Sequence, residues 1–369
     1  MNQTNHHNPS EKHPMRKVNI VIPTIRENCI RDFLNVWKDE FANAEIILVE
    51  DNPTRTFNLG DHPNVTHYSW ENIEEDLGSS AWIIPRRTDC VRSYGYFKAW
   101  QRQPDMIVTL DDDCYPMQPG GAGFLAKHWE RLNATGAEDA WHESGYGVQT
   151  RGIPYYQIHR NWPVAINHGM WNRVPDYDAA TQLLESRFPH SFGFDNQTIP
   201  AGKYFPMCGM NVALRPEAVP AFYFLLMGKN YEFDRFGDIW AGVFLKKICD
   251  HLGYAVNSGD PAVDHQRASN VFANLRKEAP GLEHNETLWR CVDSIILTKT
   301  TFRDCYREIA DGIAAQLDSA KGFPEQKTGT QYFDTLTKAM RAWTDLFFPI
   351  AFEDGSPCAA SLCATGGVL

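Results

Sequence analysis

Val108-Thr109-Leu110 runs straight into Asp111-Asp112-Asp113, so three adjoining carboxylates stand at the end of an apolar, β-prone segment and invite a counter-charge. Two unit charges about 4 Å apart repel by roughly 4 kcal/mol at an effective dielectric near 20. Carboxylate oxygens suit Mg2+ or Mn2+, which take one or two protein carboxylates and leave other positions to substrate phosphates. A metal-diphosphate site is one chemistry this triplet supports; a solvated acidic turn fits an isolated triplet as well. Asp51 follows another apolar run, at the point of a nucleotide-binding α/β unit where a carboxylate commonly meets the nucleoside. Arg87 and Arg92 flank a helix start and suit either a diphosphate or an ordinary surface. Asp238 begins the clearest helical pattern, either as a cap worth about 0.5 to 2 kcal/mol or as a carboxylate aimed into a sugar pocket. Asp176 and Asp178 lie in an aromatic stretch with sugar-binding character, flat rings for C–H faces and carboxylates for hydroxyls. His265, taken alone, reads as a satisfied loop histidine.

These residues need elements to hold them. Val18–Ile22 reads as a first strand stopped by Pro23, and a helix follows to about Lys38 with Phe33, Leu34 and Trp37 on its apolar face. The second strand is Glu45–Val49. No Gly-rich fingerprint follows the first strand, which disfavours an ordinary dinucleotide-binding domain. Val91, Tyr94, Phe97 and Trp100 recur at helical spacing, and the strand ending at Asp111 completes a β-α-β order. Ala165 to Asp178 reads as irregular. Phe205–Asn211 reads as a tight turn leading into a helix from about Pro216 to Met227, interrupted by Pro220. Trp240, Val243, Phe244, Ile248 and Leu252 mark one helix face, with Gly253 as its stop. A strand through Ala255-Val256 leads to Asp264-His265. Residues 286–350 read as two long amphipathic helices whose stripe of Tyr332, Leu336, Met340, Trp343 and Leu346 is core or oligomer interface.

The totals exclude some classes. At 369 residues and 43% hydrophobic content the chain can bury a real core, and a formal charge of −11 argues against a general nucleic-acid binder. Nine cysteines without C-x-x-C pairs fit reduced thiols in the cytoplasm. No run reaches the 18 or more apolar residues of a membrane span. A polar leader, 1–16, and a Gly-, Ala- and Ser-containing tail, 351–369, are expected to be loose.

Read together, the segments resemble the reversibly glycosylated polypeptide family, known from plants as UDP-arabinopyranose mutases. The matching stretches include Ile22-Pro23-Thr24-Ile25-Arg26, Arg92 with Gly95-Tyr96, Asp111 to Cys114, His168-Gly169-Met170-Trp171, Pro175 to Ala179, Phe205 to Asn211, Asp238-Ile239-Trp240-Ala241-Gly242 and Ile248 to Gly253. They keep the family's order between about residues 17 and 348. The resemblance implies a GT-A type α/β fold with a mixed central sheet. Residues 17–285 would form the GT-A-like domain, its nucleotide half about 17–115 and its sugar half about 116–285, and 286–350 a helical extension. It implies a UDP-sugar, Mn2+ or Mg2+, and association with itself or a relative. Carried over, Pro23, Thr24, Arg26, Asp51, Arg87, Arg92 and Asp112 would bind the nucleotide, and Asp111, Asp113 and His265 the metal. Asp176, Asp178, Cys208, Gly209, Asn211 and Trp240 would face the sugar. Asp238 would act on that sugar, and Arg151, in Arg151-Gly152-Ile153-Pro154, would match the family's self-glycosylated arginine. The chain departs from the family where Gly237-Asp238 replaces paired aspartates, and where the next arginine, Arg160, stands nine residues after Arg151 instead of seven. The activity implied is exchange between the pyranose and furanose forms of UDP-L-arabinose. A transferase acting on a glycan or protein acceptor, or a UDP-sugar-binding subunit without catalysis, are the alternatives.

Overall fold

The computed structural model describes residues 17–139, 151, 159–184, 196–266, 270–318 and 329–347; the leader and tail lie outside the described residues. The chain opens with β1 (Val18–Thr24), α1 (Glu27–Trp37), β2 (Glu45–Glu50), β3 (Val65–Tyr68), α2 (Trp70–Leu77), α3 (Val91–Gln101) and β4 (Met106–Leu110). These strands lie parallel in the order β3-β2-β1-β4, as expected of apolar runs buried on both faces. Neighbouring residues of β1 point opposite ways. Val21 joins Ile47, Val49 and Ile107 on the face covered by α3, whereas Ile20 and Ile22 join Leu48, Val108 and Leu110 on the face covered by α1.

Next come β5 (Cys114–Pro116), α4 (Phe124–Asn133), β6 (Thr135–Asp139), β7 (His159–Arg173), α5 (Ala179–Leu184), β8 (Gln197–Thr198), β9 (Asn211–Leu214), α6 (Gly237–Leu252) and β10 (Ala255–His265). Beyond β4 the sheet continues through antiparallel β9 to β7, β10 and β5, with β6 on β7 and β8 on β10. The result is one large mixed sheet with helices on both faces, consistent with a GT-A-like fold. Three helices, α7 (Val271–Ser294), α8 (Phe302–Asp318) and α9 (Gly329–Asp345), complete the described chain.

Several expectations give way. Pro23 does not stop β1; it pairs with Val49 in the ladder to β2. β4 accompanies β1 only as far as Val21, so at Pro23 the strand has a neighbour on one side and a missing N–H is tolerated there. Ala165–Arg173 is strand, not irregular. Its buried Asn167 and His168 break the apolar alternation but are bonded, Asn167 Nδ2 to His128 Nδ1 at 2.9 Å and to the Asp260 carbonyl at 3.0 Å. Asn211 opens β9, and Pro216–Ala221 is a short 3₁₀ turn in place of a helix to Met227, because Pro220 removes a backbone donor. The two helices expected within 286–350 are α8 and α9, but the boundary near 285 falls inside α7, whose Pro280 and Gly281 blur its period. The stripe on α9 is core: the Trp343 ring stacks on Tyr223 at 5.3 Å and its Nε1 donates to the Pro220 carbonyl at 3.1 Å.

Candidate active site

The carboxyl ends of β1, β2 and β4 open into a cleft of about 880 Å3, where open parallel sheets bind ligands and at a size that suits a small molecule. Pro23, Thr24 and Arg26 reach it from β1, Asp51 from β2, and Asp111 and Asp112 from β4. Asp51 is 5% exposed, and its Oδ1 accepts from Trp70 Nε1 at 2.7 Å and from the Arg87 backbone N–H at 3.0 Å. That leaves Oδ2 without a protein donor among the described residues. Burial pushes this carboxyl above the usual range. Arg87 is itself exposed, with its guanidinium 5.3 Å from the Trp70 ring centre. Trp70 carried no signal in the sequence, because it lies on a helix that nothing there marked as part of the site.

Every carboxylate of the triplet is paired, Arg26 serving two of them. Asp111 pairs with Arg92. Asp112 accepts from the Thr24 hydroxyl and from Arg26 Nε at 3.1 Å. Asp113 accepts from Arg26 Nη2 at 2.9 Å and faces His265 Nε2 at 3.7 Å. Much of the counter-charge that the triplet invites is therefore two arginines. This corrects the role expected of Arg92 as a phosphate ligand: its side chain is 2% exposed, and its fork of donors is spent within the protein. Nε and Nη2 bond Asp89 at 3.1 and 2.9 Å, Nη1 bonds Thr109 Oγ1 and, at 2.7 Å, the Gly209 carbonyl, and Nη2 also meets Asp111. Asp112, 2% exposed, likewise braces the β1 loop through Thr24 and Arg26.

His265 ends β10. Its Nδ1 lies 2.8 Å from the Val174 carbonyl, which can only accept, so the proton of the neutral ring sits on Nδ1 and Nε2 turns its lone pair toward Asp113. Such an outer bond orients metal-binding imidazoles. An oxygen and a nitrogen donor side by side are of a type that suits Mn2+ better than Mg2+, but Asp113 is already paired with Arg26, Asp111 with Arg92, and neither Asp113 nor His265 is among the residues lining the cleft. Among the described residues no group of three or more His, Cys, Asp or Glu forms a ready metal cage, so ligand oxygens would have to complete the coordination.

Asp238 forms the cleft wall at the start of α6. It is the second helical residue, not the cap, and its Oδ1 accepts from the Ile239 N–H at 2.9 Å while Oδ2 accepts from Gly209 N–H at 3.3 Å. Burial, with Asp89 and Asp176 close by, pushes its carboxyl up to about 7. Asp176 is raised as well, by burial and then by Asp111. A carboxyl poised near neutrality can both give and take a proton.

Four expected sugar contacts read differently. At about 100° per residue Trp240 lies some 200° around α6 from Asp238; it is 1% exposed, packs on Phe233 at 5.2 Å and donates to Asn285 Oδ1 at 2.9 Å. It belongs to the core, not the cleft. Asn211 is fully buried and straps β9 to its neighbours, donating to the Met170 and Pro261 carbonyls at 3.1 and 2.9 Å. Asp178 lines the cleft but spends its carboxylate capping α5 through the Thr181 N–H at 2.9 Å and hydroxyl at 2.7 Å. Gly209 gives its N–H to Asp238 and its carbonyl to Arg92, which makes it a bridge within the protein. Cys208 does line the cleft, its Sγ 3.3 Å from His168 Nε2. Arg151 is an exposed turn residue outside the cleft lining, and residues 140–150 and 152–158 around it lie outside the described residues.

Gly237 is tightly enclosed: a Cβ there would come within 2.4 Å of the Phe224 carbonyl oxygen. Gly237→Ala is expected to cost about 1–3 kcal/mol, because a backbone atom must move; the corresponding Asp, which would restore the paired carboxylates, should cost no less. Urea denaturation of both variants checks this, and an unchanged midpoint for the Asp variant would show that the backbone accommodates a second carboxylate.

Residues 14–352 match the family model described as "Reversibly glycosylated polypeptide". UDP-arabinopyranose mutase 1 of Arabidopsis thaliana is 34% identical over 344 residues, covering 89% of this chain and 91% of that protein. UDP-arabinopyranose mutase 3 of the same plant is 33% identical over 364 residues, covering 94% and 96%. UDP-arabinopyranose mutase 1 of Oryza sativa subsp. japonica is 32% identical over 361 residues, covering 94% and 93%.

Proposed function

The chain belongs to the reversibly glycosylated polypeptide family, and on that footing we propose that it is a UDP-arabinopyranose mutase, interconverting the pyranose and furanose forms of UDP-L-arabinose. The observation that carries the reading is near full-length likeness to proteins named for this activity, joined to a cleft in which Asp238 is pushed up to about 7. Changing a six-membered ring to a five-membered one moves one proton. The C1–O5 bond opens and O5 gains a proton, while O4 loses its proton as it closes on C1. UDP leaves C1 and returns to it, so no nucleotide is consumed. Asp238 takes the O4 proton and delivers it to O5. One carboxyl serves both halves, which suits a chain with glycine at position 237.

Asp51 and Arg87 hold the nucleotide end in this reading, and Asp176 and Cys208 the sugar end. Mn2+ or Mg2+ on Asp111, Asp113 and His265 would spread the charge developing on the departing diphosphate. Self-glycosylation at Arg151 is a side event in this reading: a guanidinium carries only donors and has no free lone pair. A cytoplasmic setting accompanies the proposal. The seven described cysteines are all free thiols, and no helix among the described residues is long and apolar enough to cross a membrane.

The test is to incubate the full chain with Mn2+ and UDP-L-arabinopyranose, without acceptor, and resolve the nucleotide sugars by chromatography. A furanose peak lost in EDTA is expected, and Arg151→Ala should still produce it while losing any sugar adduct. Turnover only when a glycan or protein acceptor is added would replace the mutase with a transferase.

A further inference from the structure

Of the cleft's arginines, Arg92 and Arg26 are engaged by the acidic triplet, and Arg87 stands beside Asp51. Arg235 is different. It lines the cleft three residues before Asp238, its side chain is 37% exposed, and its backbone, like that of Arg87 at φ +60°, is left-handed, at φ +64°, a conformation uncommon for a residue with a side chain. Strain of this kind persists where the surroundings over-determine a residue, often at ligand clamps. Here the surroundings are visible: Arg235 Nε donates to Glu278 Oε1 at 2.7 Å, and Glu278, 2% exposed, accepts the Ala179 backbone N–H on Oε2 at 2.6 Å. A buried carboxylate on α7 thereby fixes the guanidinium by one edge and ties it to the start of α5. Nη1 and Nη2 have no protein acceptor among the described residues; against the effect of burial, Glu278 first, and Asp238 and Asp176 after it, raise the guanidinium's pKa.

We infer that Arg235 is a donor-binding residue for this chain: Glu278 holds Nε, and the two Nη groups clamp the diphosphate from the α6 side of the cleft. The inference rests on the nucleotide-sugar reading above and adds a residue to it. A planar fork can serve a carboxylate with one edge and a phosphate with the other, which a lysine ammonium cannot do as one point charge. Apart from Arg87 and Lys277, the latter paired with Asp234 at 3.0 Å, a diphosphate would otherwise meet mainly Asp89, Asp111, Asp176 and Asp238 on these walls.

The experiment compares UDP with uridine, which lacks the phosphates, binding to the full chain with Mn2+ present. Calorimetry follows the first and NMR titration the second. Arg235→Lys and Arg235→Gln are each expected to weaken UDP about 10-fold or more while leaving uridine within 2-fold. A structural role would weaken both ligands together, and that result overturns the inference, as does UDP binding to Arg235→Lys at full strength. Should Arg235→Gln fail to fold, the charge-retaining lysine variant decides alone. If the unsubstituted protein binds UDP no better than uridine, the nucleotide-sugar reading itself fails and the inference with it.

Discussion

Asp238→Asn is expected to lower the mutase rate by about 10²- to 10⁴-fold, the usual contribution of a positioned acid–base group, while UDP binds at least as tightly as before. An amide fills the same space but can neither take the O4 proton nor return it. Binding is spared because the substitution removes a carboxylate from a wall that Asp89 and Asp176 already make acidic. The same variant carries a stability signature with a definite sign. The folded carboxyl titrates at about 7, against an ordinary value of 3.8. Between those values the unfolded chain has lost the proton and the folded chain keeps it, so the unfolded state binds fewer protons and stability falls as pH rises from about 4 to 7. Asn removes that penalty. It should leave the melting temperature unchanged at pH 4 and raise it by a few degrees at pH 8, for a gain on the order of 2 kcal/mol after allowance for the open cleft. The weak 3.3 Å bond from Gly209 subtracts little. Thermal melts at the two pH values, beside kcat and UDP affinity, check all three statements. Retention of most of the rate would remove Asp238 from the chemistry.

What the chain discloses without its fold follows from where apolar periodicity is simple. β1, β2 and β4 are continuous apolar runs because both faces of the parallel sheet are covered, and their acidic ends could therefore be read as one rim. α6 was legible for a similar reason, since its apolar face stops cleanly at Gly253, which holds φ +75°. β7 and β9 were hidden. They bury Asn167, His168 and Asn211 in hydrogen-bond networks, and buried polar groups on a strand look in sequence like loop residues. Within the site, residue types were recognisable but orientations were not. Asp238 and Trp240 stand two apart on one helix, and only the helix phase sends one to the cleft and the other into the core. Glu278 had no signal at all, because its partner Arg235 lies on another element and nothing local marks a glutamate as buried. Asp89 and Arg92 did share a helical spacing of three, a pattern that signals an ion pair.

Arg92→Met should be the most destabilising of the substitutions considered, by about 3–5 kcal/mol, the usual result of removing one member of a buried charged network. Methionine approximates the length of the side chain but none of its donors, and the groups left behind differ in consequence. Asp89 is 45% exposed on its side chain and can turn to water, whereas Thr109 and the Gly209 carbonyl sit under the cleft floor. Each buried group left unpaired costs roughly 1–3 kcal/mol. Arg92→Lys keeps one charge but cannot span Asp89, Asp111, Thr109 and Gly209 together, and should recover only part of the loss. Urea denaturation of the three proteins measures this. Activity should fall by 10-fold or more in Arg92→Met even under conditions where it remains folded, because Arg92 holds the carbonyl of Gly209 while Gly209 N–H holds Asp238 Oδ2. One glycine thus connects the ion-pair network under the acidic triplet to the carboxyl proposed to move the proton, and its tight contacts with Phe224 and Arg92 leave no room for a side chain. Unfolding free energies within about 1 kcal/mol of one another, together with a selective loss of UDP affinity, would instead return Arg92 to the phosphate-binding role its position in the sequence suggested.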